Sequence, residues 1–171
     1  ELPFNSDEYS TGHPTLTKDN TILYFASDRP GGYGGSDIYV SKFENGNWSE
    51  PKNLGPEVNS SGNELFPFVD EFGHLYYASD GKEGLGGLDI FYTRMNTPFE
   101  AFKSVNVGAP INSSKDDFGI LTDGERKEGF FSSNRRKGGD DDDIYRFVRE
   151  GVLYPCQELT VQVVDAITRK E

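Results

Sequence analysis

Apolar and polar residues alternate along short runs of this chain, and turns rich in glycine and asparagine separate the runs. In DIYVSKF, residues 37–43, the apolar residues Ile38, Val40 and Phe43 alternate with polar neighbours. The run before it, TILYFAS at residues 21–27, is rich in β-branched and aromatic residues, which favour a buried strand. A two-residue period predicts β-strands, and no stretch of the chain shows sustained helical periodicity.

Two further strands are predicted around this pair. HPTLT, residues 13–17, forms a short run before the turn KDN, and WSEPKNLG, residues 48–55, follows the turn ENGN. Because asparagine and glycine tolerate positive φ, ENGN predicts a hairpin. Pro51 cannot donate a hydrogen bond to a neighbouring strand, so it marks the last strand as an edge. The pattern therefore predicts a unit of four strands that runs up and down as a meander.

This unit recurs along the chain. LYFASDRPGGYGGSDIYVSKF begins at Leu23, LYYASDGKEGLGGLDIFYTRM begins at Leu75, and the looser copy GFFSSNRRKGGDDDDIYRFVR begins at Gly129. The first two copies lie 52 residues apart and the third lies 54 residues further on, with Asn134 at the position of Asp80. Repetition at such a period indicates stacked supersecondary units.

Four-stranded meanders in series predict an all-β protein made of β-propeller blades. We expect residues 1–11 to end a preceding blade and residues 12–61, 62–114 and 115–156 to form three blades. Propellers close with about four to eight blades, so three blades are expected to belong to a larger ring, with six blades as the expected size. The alternative is that two copies of the chain pair into one ring. Residues 157–171 are predicted to begin a separate β-sandwich.

The net charge of the chain limits which classes of partner it can bind. The 171 residues include 29 acidic and 17 basic ones, for a net charge of −12. Such an excess argues against nucleic acid, whose phosphates need lysine and arginine, and against an anionic membrane surface. No run approaches the roughly 18 apolar residues of a membrane span. The single cysteine, Cys156, allows no internal disulfide, and we expect it to be a small, partly buried apolar residue.

The loop between the second and third strands of each unit combines glycines with aspartates. A phosphate-binding loop leads into a helix, whereas this one leads into a strand, so phosphate binding is not predicted. Calcium needs about six to eight oxygen ligands. The candidate metal ligands are Asp28, Asp37, Asp80, Asp89, Asp140 and Asp143. The favoured interpretation is structural: the aspartate before each third strand accepts backbone N–H bonds and fixes the hairpin. Calcium is the alternative, and no other cofactor is expected.

Other residue types point to structure more than to catalysis. Asn5, Asn59 and Asn112 recur before each new unit, where side-chain to backbone bonding is the expected role. The two histidines, His13 and His74, do not have the spacing of a metal pair, and no G-x-S-x-G nucleophile motif occurs. Trp48 is expected to anchor packing within its unit. The sequence therefore predicts a protein that is not an enzyme.

The repeat resembles a known family. HPTLTKDNTILYFASDR and FPFVDEFGHLYYASD resemble the WD40-like, Asp-rich repeat of TolB-type propellers. RPGGYGGSDIY and GPEVNSS are similar to the propellers of OmpA-like, peptidoglycan-associated envelope proteins of Bacteroidetes, some of which are lipoproteins of the type IX secretion and gliding machinery. In that group a carboxypeptidase-regulatory-like β-sandwich follows, which ELTVQVVDAITRKE resembles. The third copy departs from the pattern at Asn134, so its loop is expected to be remodelled.

The resemblance implies a non-catalytic, periplasmic, outer-membrane-associated scaffold that binds envelope proteins, among them components of the secretion system. Peptidoglycan binding would need an OmpA-like module that this sequence does not contain. Propellers bind partners through their loops. The candidate contact residues are Arg29, Tyr33, Lys82, Leu85, Arg135 and Arg136. Three alternatives stay open: the loops are merely solvated hairpins, the propeller is a module of a hydrolase or peptidase, or it is a calcium-dependent glycan binder.

Overall fold

The computed structural model describes residues 2–136 and 141–150, and every regular element in that part is a β-strand. The protein is therefore all-β, as the two-residue period predicts. No helix in this part is long and apolar enough to cross a membrane. The predictions for Asp140, for Cys156 and for a sandwich strand at residues 157–171 concern residues outside the described part.

The first sheet is an antiparallel meander with an additional hairpin. It contains β1 (Thr11–Leu16), β2 (Ile22–Ser27), β3 (Asp37–Glu44), β4 (Asn47–Trp48) and β5 (Lys52–Asn53). The end of β3 pairs with β4, and its middle pairs with β5. The single strand predicted over residues 48–55 is thus two short strands, separated by Ser49, Glu50 and Pro51. Proline lacks the N–H that would continue the ladder there.

The second and third sheets repeat the meander. The second contains β6 (Glu64–Val69), β7 (Leu75–Ser79), β8 (Asp89–Thr93) and, after a hairpin of β9 (Met95–Thr97) with β10 (Glu100–Ala101), β11 (Val105–Asn106). The third contains, in its described part, β12 (Asp117–Thr122), β13 (Glu128–Ser133) and β14 (Asp143–Val148). Neighbouring strands in each meander are antiparallel.

Apolar side chains on both faces of the sheets join them into one stack. Successive side chains on a strand point to opposite faces, so a sheet with neighbours on both sides is apolar throughout. One cluster joins the first and second sheets and includes Tyr24, Ile38, Val40, Leu75, Tyr77 and Phe91. Another joins the second and third sheets and includes Tyr76, Ile90, Ile120 and Phe131. Since each such side chain contributes about 1.5–3 kcal/mol on burial, these clusters dominate the cohesion between sheets.

The first strand of each sheet carries a β-bulge at an equivalent place. Within the bulges, His13, Phe66 and Gly119 have φ angles of 49°, 52° and 62°. The ring of Phe66 stacks on that of His13, with 4.0 Å between centroids, and on that of Phe118 at 4.8 Å. The three first strands therefore lie side by side, and the bulges turn a row of rings toward one another.

Candidate functional site

In each of the first two units, the aspartate that begins the third strand fixes the loop before it. Asp37 is buried, and its Oδ2 accepts hydrogen bonds from the Tyr33 backbone N at 2.6 Å and from Asn53 Nδ2 at 2.9 Å. Asp89 Oδ2 accepts the Leu85 backbone N–H in the same way. The structural role predicted for these aspartates is confirmed.

This arrangement explains one glycine in each loop. A Cβ on Gly32 would lie 2.0 Å from Asp37 Oδ2, and one on Gly84 would lie 1.8 Å from Asp89 Oδ2. Both distances are far below van der Waals contact, so only glycine lets the loop backbone approach the carboxylate. This one glycine in each loop therefore reflects close approach to a buried carboxylate.

Two buried asparagines fix the segment that leads from one unit to the next to the third strand of their own unit. Asn59 accepts from the Ile38 backbone N at 2.8 Å and donates to the Ile38 carbonyl at 3.1 Å. Asn112 makes the same two bonds to Ile90, at 2.8 and 2.9 Å. The amide thus pairs with the third strand as a neighbouring strand would, which confirms the predicted side-chain to backbone role. Asn5 is exposed, and no strand precedes it in the described part for its amide to pair with.

The other candidate metal ligands in the described part, Asp28, Asp80 and Asp143, also contact polar groups of the protein. Asp28 accepts the Ser10 backbone N–H at 2.6 Å, and Asp80 accepts the backbone and side-chain N–H groups of Asn63 at 2.6 and 2.9 Å. Asp143 lies 3.2 Å from Arg136 Nε. Among the described residues, no group of three or more His, Cys, Asp or Glu side chains is arranged to hold a metal ion. Calcium binding stays the untested alternative.

Asn134, which departs from the repeat, keeps the link that Asp80 makes. Asp80 accepts from Asn63, whereas Asn134 Nδ2 donates to Asp116 Oδ2 at 2.9 Å and Asn134 Oδ1 accepts the Asp116 backbone N–H at 2.9 Å. The amide and the carboxylate have exchanged places across the same contact. The start of the third loop is therefore not remodelled, and residues 137–140 of that loop lie outside the described part.

The candidate contact residues divide into two groups. Tyr33 and Leu85 are exposed at the loops, as expected, and Arg136 is exposed beside Asp143. Arg29 and Arg135, which occupy equivalent positions, and Lys82, which lies one position further along its loop, are only partly exposed. Their partners come from distant parts of the chain, so a sequence pattern does not reveal how far they are buried.

The partly buried cations pack against the fold. The Arg29 guanidinium lies 4.8 to 5.6 Å from four ring centroids, those of Phe4, Tyr9, Phe25 and Tyr39. Lys82 Nζ donates to the Glu57 carbonyl at 3.4 Å, and burial lowers the pKa of its ammonium group. Arg135 stacks on Phe131 and Tyr145. These cations therefore stabilise the unit as well as offering charge at the surface.

Two fully buried carboxylates were not identified from the sequence. Glu64 accepts hydrogen bonds from the Ser60 backbone N at 2.8 Å and from the Ser60 and Ser79 hydroxyls at 2.6 Å. Asp117 accepts the Ser113 backbone N–H at 2.6 Å and pairs with Arg135 at 2.5 Å. Each is the first residue of the first strand of its unit, and the two lie 53 residues apart. This repeated acidic position is the sequence pattern from which they could have been predicted.

An apolar surface on the third sheet was also not predicted from the sequence. Four side chains form it, and we call it the terminal apolar face: Leu121, Phe130, Ile144 and Val148, which are 55, 48, 78 and 57% exposed. On the second sheet, the equivalents of Phe130 and Ile144 are Tyr76 and Ile90, and both are buried against the third sheet. The same face is thus covered on the second sheet and open on the third.

The two histidines lie on different sheets and serve packing. His13 stacks on Phe66, and burial lowers the pKa of its imidazole. His74 meets the edge of the Tyr92 ring. Trp48 packs on Phe43 and on the cluster behind the first sheet, which confirms its predicted anchoring role.

No protein-family model and no curated protein matches the chain. The repeated polar residues bind strands of their own unit: two buried asparagines, two buried carboxylates and the polar contact at the start of a first strand. What these links build is a stack of sheets whose last described face is apolar and open.

Proposed function

We propose that the protein is a non-catalytic interaction scaffold, built of β-propeller blades, that binds by adding a further sheet to its own stack. The observation that carries this proposal is the terminal apolar face. Exposed contiguous apolar side chains mark interaction sites. The equivalent face of the second sheet already performs this function inside the chain, since Tyr76 and Ile90 receive Phe131 and Ile120 of the third sheet.

The partner that fits is a sheet of the same repeat. At both internal interfaces the incoming sheet presents aromatic rings, Tyr77 and Phe91 at the first and Phe131 and Tyr145 at the second. The first sheet carries the equivalent rings, Phe25 and Tyr39, with Phe4 packed over them. Phe4 precedes Asn5 as Val58 precedes Asn59, and Val58 lies in the first internal interface.

A second copy of the chain would meet the terminal apolar face with its first sheet, where Phe25 and Tyr39 are 1 and 4% exposed, so the segment that carries Phe4 has to rearrange over them on association. Such a contact is head to tail, and head-to-tail contacts close into rings when the rotation between copies allows it. Two copies with three sheets each would form a ring of six, within the usual range of about four to eight blades. The ion pair of Arg146 with Glu128, at 2.6 Å, lies on this same face, because Arg146 stands opposite Phe130 and between Ile144 and Val148, so a partner has to accommodate it.

The cellular setting is proposed from the repeat resemblance. TolB-type repeats of OmpA-like envelope proteins favour a periplasmic, outer-membrane-associated location, with envelope proteins and type IX secretion components as partners. Sheet-on-sheet binding suits a scaffold in that setting, because it needs shape and apolar complementarity and no chemical step. No specific feature of the described residues favours the hydrolase module or the calcium-dependent glycan binder.

Sedimentation of matched variants tests the proposal. Ile144→Asp places a charge at the most exposed position of the terminal apolar face, and Leu85→Asp places the same charge on a loop. We expect the native chain to associate with increasing concentration and Ile144→Asp to weaken association at least about tenfold, since burying a charge without a partner is costly. Leu85→Asp should associate like the native chain. A native chain that stays at 19.1 kDa at every concentration would contradict the proposal.

If Leu85→Asp or Tyr33→Asp abolishes association while Ile144→Asp does not, the loops are the contact surface. Circular dichroism of each variant serves as the control for folding. Because Ile144 is mostly exposed, its replacement should leave the spectrum unchanged.

A further inference from the structure

The first two units contain a contact that the third unit lacks in its described part. Asn59 Oδ1 accepts the Ile38 backbone N–H at 2.8 Å, and Asn59 Nδ2 donates to the Ile38 carbonyl at 3.1 Å. Asn112 makes the same two bonds to Ile90. Both isoleucines are 0% exposed. In these units, an asparagine from the segment after the meander therefore pairs with the outward backbone groups of the third strand.

In the third unit, the isoleucine of this contact is present and the asparagine is not. Ile144 has the same ladder register as Ile38, so its N–H and C=O groups also point away from the second strand. Its side chain is 78% exposed. Residues 149–171, which follow β14, contain no asparagine. The position that Asn59 holds in the first unit therefore has no asparagine counterpart after β14.

An asparagine without its strand lies near the other end of the sequence. Asn5 is exposed, and no strand precedes it in the part of the chain that the structure describes. Serine follows it and an apolar residue precedes it, as is the case for Asn59 and Asn112. Its distance in sequence from the next first strand is one residue longer than that of Asn59. Asn5 thus corresponds to the two buried asparagines in its sequence context and differs from them in having no third strand before it.

The neighbouring phenylalanine shows that this segment already makes one of the two contacts of its counterpart. Phe4 stacks on Phe25 of the first sheet, with 5.2 Å between ring centroids. Val58, at the equivalent position, lies in the cluster that contains Tyr77, the counterpart of Phe25 in the second sheet. That same cluster includes the first sheet, so Val58 lies between two sheets. Phe4 contacts the sheet that follows it and lacks one that precedes it among the described residues.

We propose that Asn5 of one copy binds the backbone of Ile144 in another copy and so completes the third unit of that copy. Its Oδ1 accepts the Ile144 N–H and its Nδ2 donates to the Ile144 carbonyl, the two bonds that each of the first two units makes. The inference rests on the proposed function, because it needs two copies that meet head to tail. It names the residue that fixes their register, and it places Phe4 of the rearranged segment between the two sheets.

The contact is needed because docking removes water from the backbone of Ile144. Buried backbone N–H and C=O groups are nearly always paired, and an unpaired one costs free energy. An asparagine amide both donates and accepts, so one side chain satisfies both groups. A sheet that covered the terminal apolar face without such an amide would leave both groups unpaired. The contact therefore also selects a partner of the same repeat.

A mixture of two chains measures this contact at Ile144 itself. One chain carries ¹⁵N and the replacement Asn5→Ala, so that an Asn5 amide can reach its Ile144 only from the other, unlabelled chain. The unlabelled chain, in excess, is native in one sample, Asn5→Ala in a second and Asn47→Ala in a third. Asn47 is an exposed asparagine on the outer hairpin of the first sheet and is the matched control. The response is the rate at which the Ile144 amide proton exchanges with water.

We expect the native and Asn47→Ala chains to slow exchange at Ile144 at least about tenfold, since the N–H becomes hydrogen-bonded and buried. The Asn5→Ala chain should slow it much less, because it offers no acceptor to this N–H. In sedimentation, Asn5→Ala should associate with itself at least about tenfold more weakly than the native chain does. Equal slowing by the Asn5→Ala and native chains would overturn the inference.

The inference and the proposed function fail in different ways. If no chain associates at any concentration, the proposed function fails and the inference fails with it. If the native chain associates and Ile144→Asp weakens this association, while Asn5→Ala leaves association and Ile144 exchange unchanged, only the inference fails. Because Asn5 is exposed, Asn5→Ala should keep the circular dichroism spectrum of the native chain.

Discussion

At the end of a unit, an asparagine side-chain amide makes the hydrogen bonds that the backbone of a neighbouring strand would otherwise make. The Asn59 side chain both accepts from and donates to Ile38, the pattern of a neighbouring strand, and its Nδ2 also donates to Asn53 Oδ1 at 2.8 Å. Asn112 repeats all three bonds in the second unit. Aspartate could not serve here because it has no donor, and serine could not because its single oxygen cannot replace an accepting Oδ1 and an Nδ2 that donates twice.

Replacing Asn59 by alanine should therefore be costly. The change leaves a buried backbone N–H and a buried carbonyl without partners, and we expect a loss of about 2–4 kcal/mol in the free energy of unfolding. Urea denaturation measures it. Asn5→Ala is the matched control, since Asn5 is exposed and its removal should change stability by less than about 0.5 kcal/mol. Equal effects of the two variants would contradict the role assigned to the buried amide.

His13 should make stability depend on pH. Burial lowers the pKa of its imidazole in the folded state, so the unfolded state takes up a proton first as the pH falls. Stability is then full above about pH 6.5, the unfolded value, and declines as the pH falls below it. Urea denaturation at pH 7.5 and 5.5 should show a smaller decline for His13→Gln than for the native chain. An identical decline would contradict the assignment.

At the scale of the strand and its loop, the polar contact at the start of each first strand tolerates an exchange of residue types. Asn63 with Asp80 and Asp116 with Asn134 make equivalent contacts with amide and carboxylate reversed. In both orders the residue before the first strand also caps the preceding loop, because Asn63 Oδ1 accepts the Ser36 backbone N–H at 3.1 Å. The contact needs one donor and one acceptor, whichever strand supplies each.

The double variant Asn63→Asp, Asp80→Asn should thus be close to native in stability. Asn63→Asp alone places two carboxylates in contact and should cost about 1 kcal/mol, which the second change restores. A double-mutant cycle by urea denaturation measures the coupling. Additive losses would show that the two side chains do not act as a pair.

The β-branched and aromatic runs predicted β2, β3, β7 and β8 well, because strands that are buried on both faces are apolar over most of their length. The sequence pattern missed the division between β4 and β5, since that depends on which part of β3 each short strand can reach. It placed Arg29 at a loop tip because the rings that cover it, Phe4 and Tyr9 among them, come from a separate segment. Residue type and spacing carry no information on such distant contacts.

At the scale of the whole molecule, equivalent faces of equivalent sheets have different environments. Tyr24, Tyr76 and Phe130 occupy the same position in three sheets, and only Phe130 is exposed. A repeat whose units are stabilised mainly by their neighbours leaves its last described sheet with an unsatisfied apolar face. We therefore expect the chain to behave as part of a larger stack, whichever polypeptide completes it.

The central claim, that the terminal apolar face binds the first sheet of another copy, is tested most directly by methyl NMR. One population of the chain carries labelled isoleucine methyl groups and the other carries labelled aromatic rings. In the mixture, the Ile144 methyl groups should show intermolecular Overhauser contacts to phenylalanine or tyrosine protons, and the buried methyl groups of Ile38 and Ile90 should show none. An Ile144 methyl signal that has no such contacts and does not shift with concentration would contradict the account.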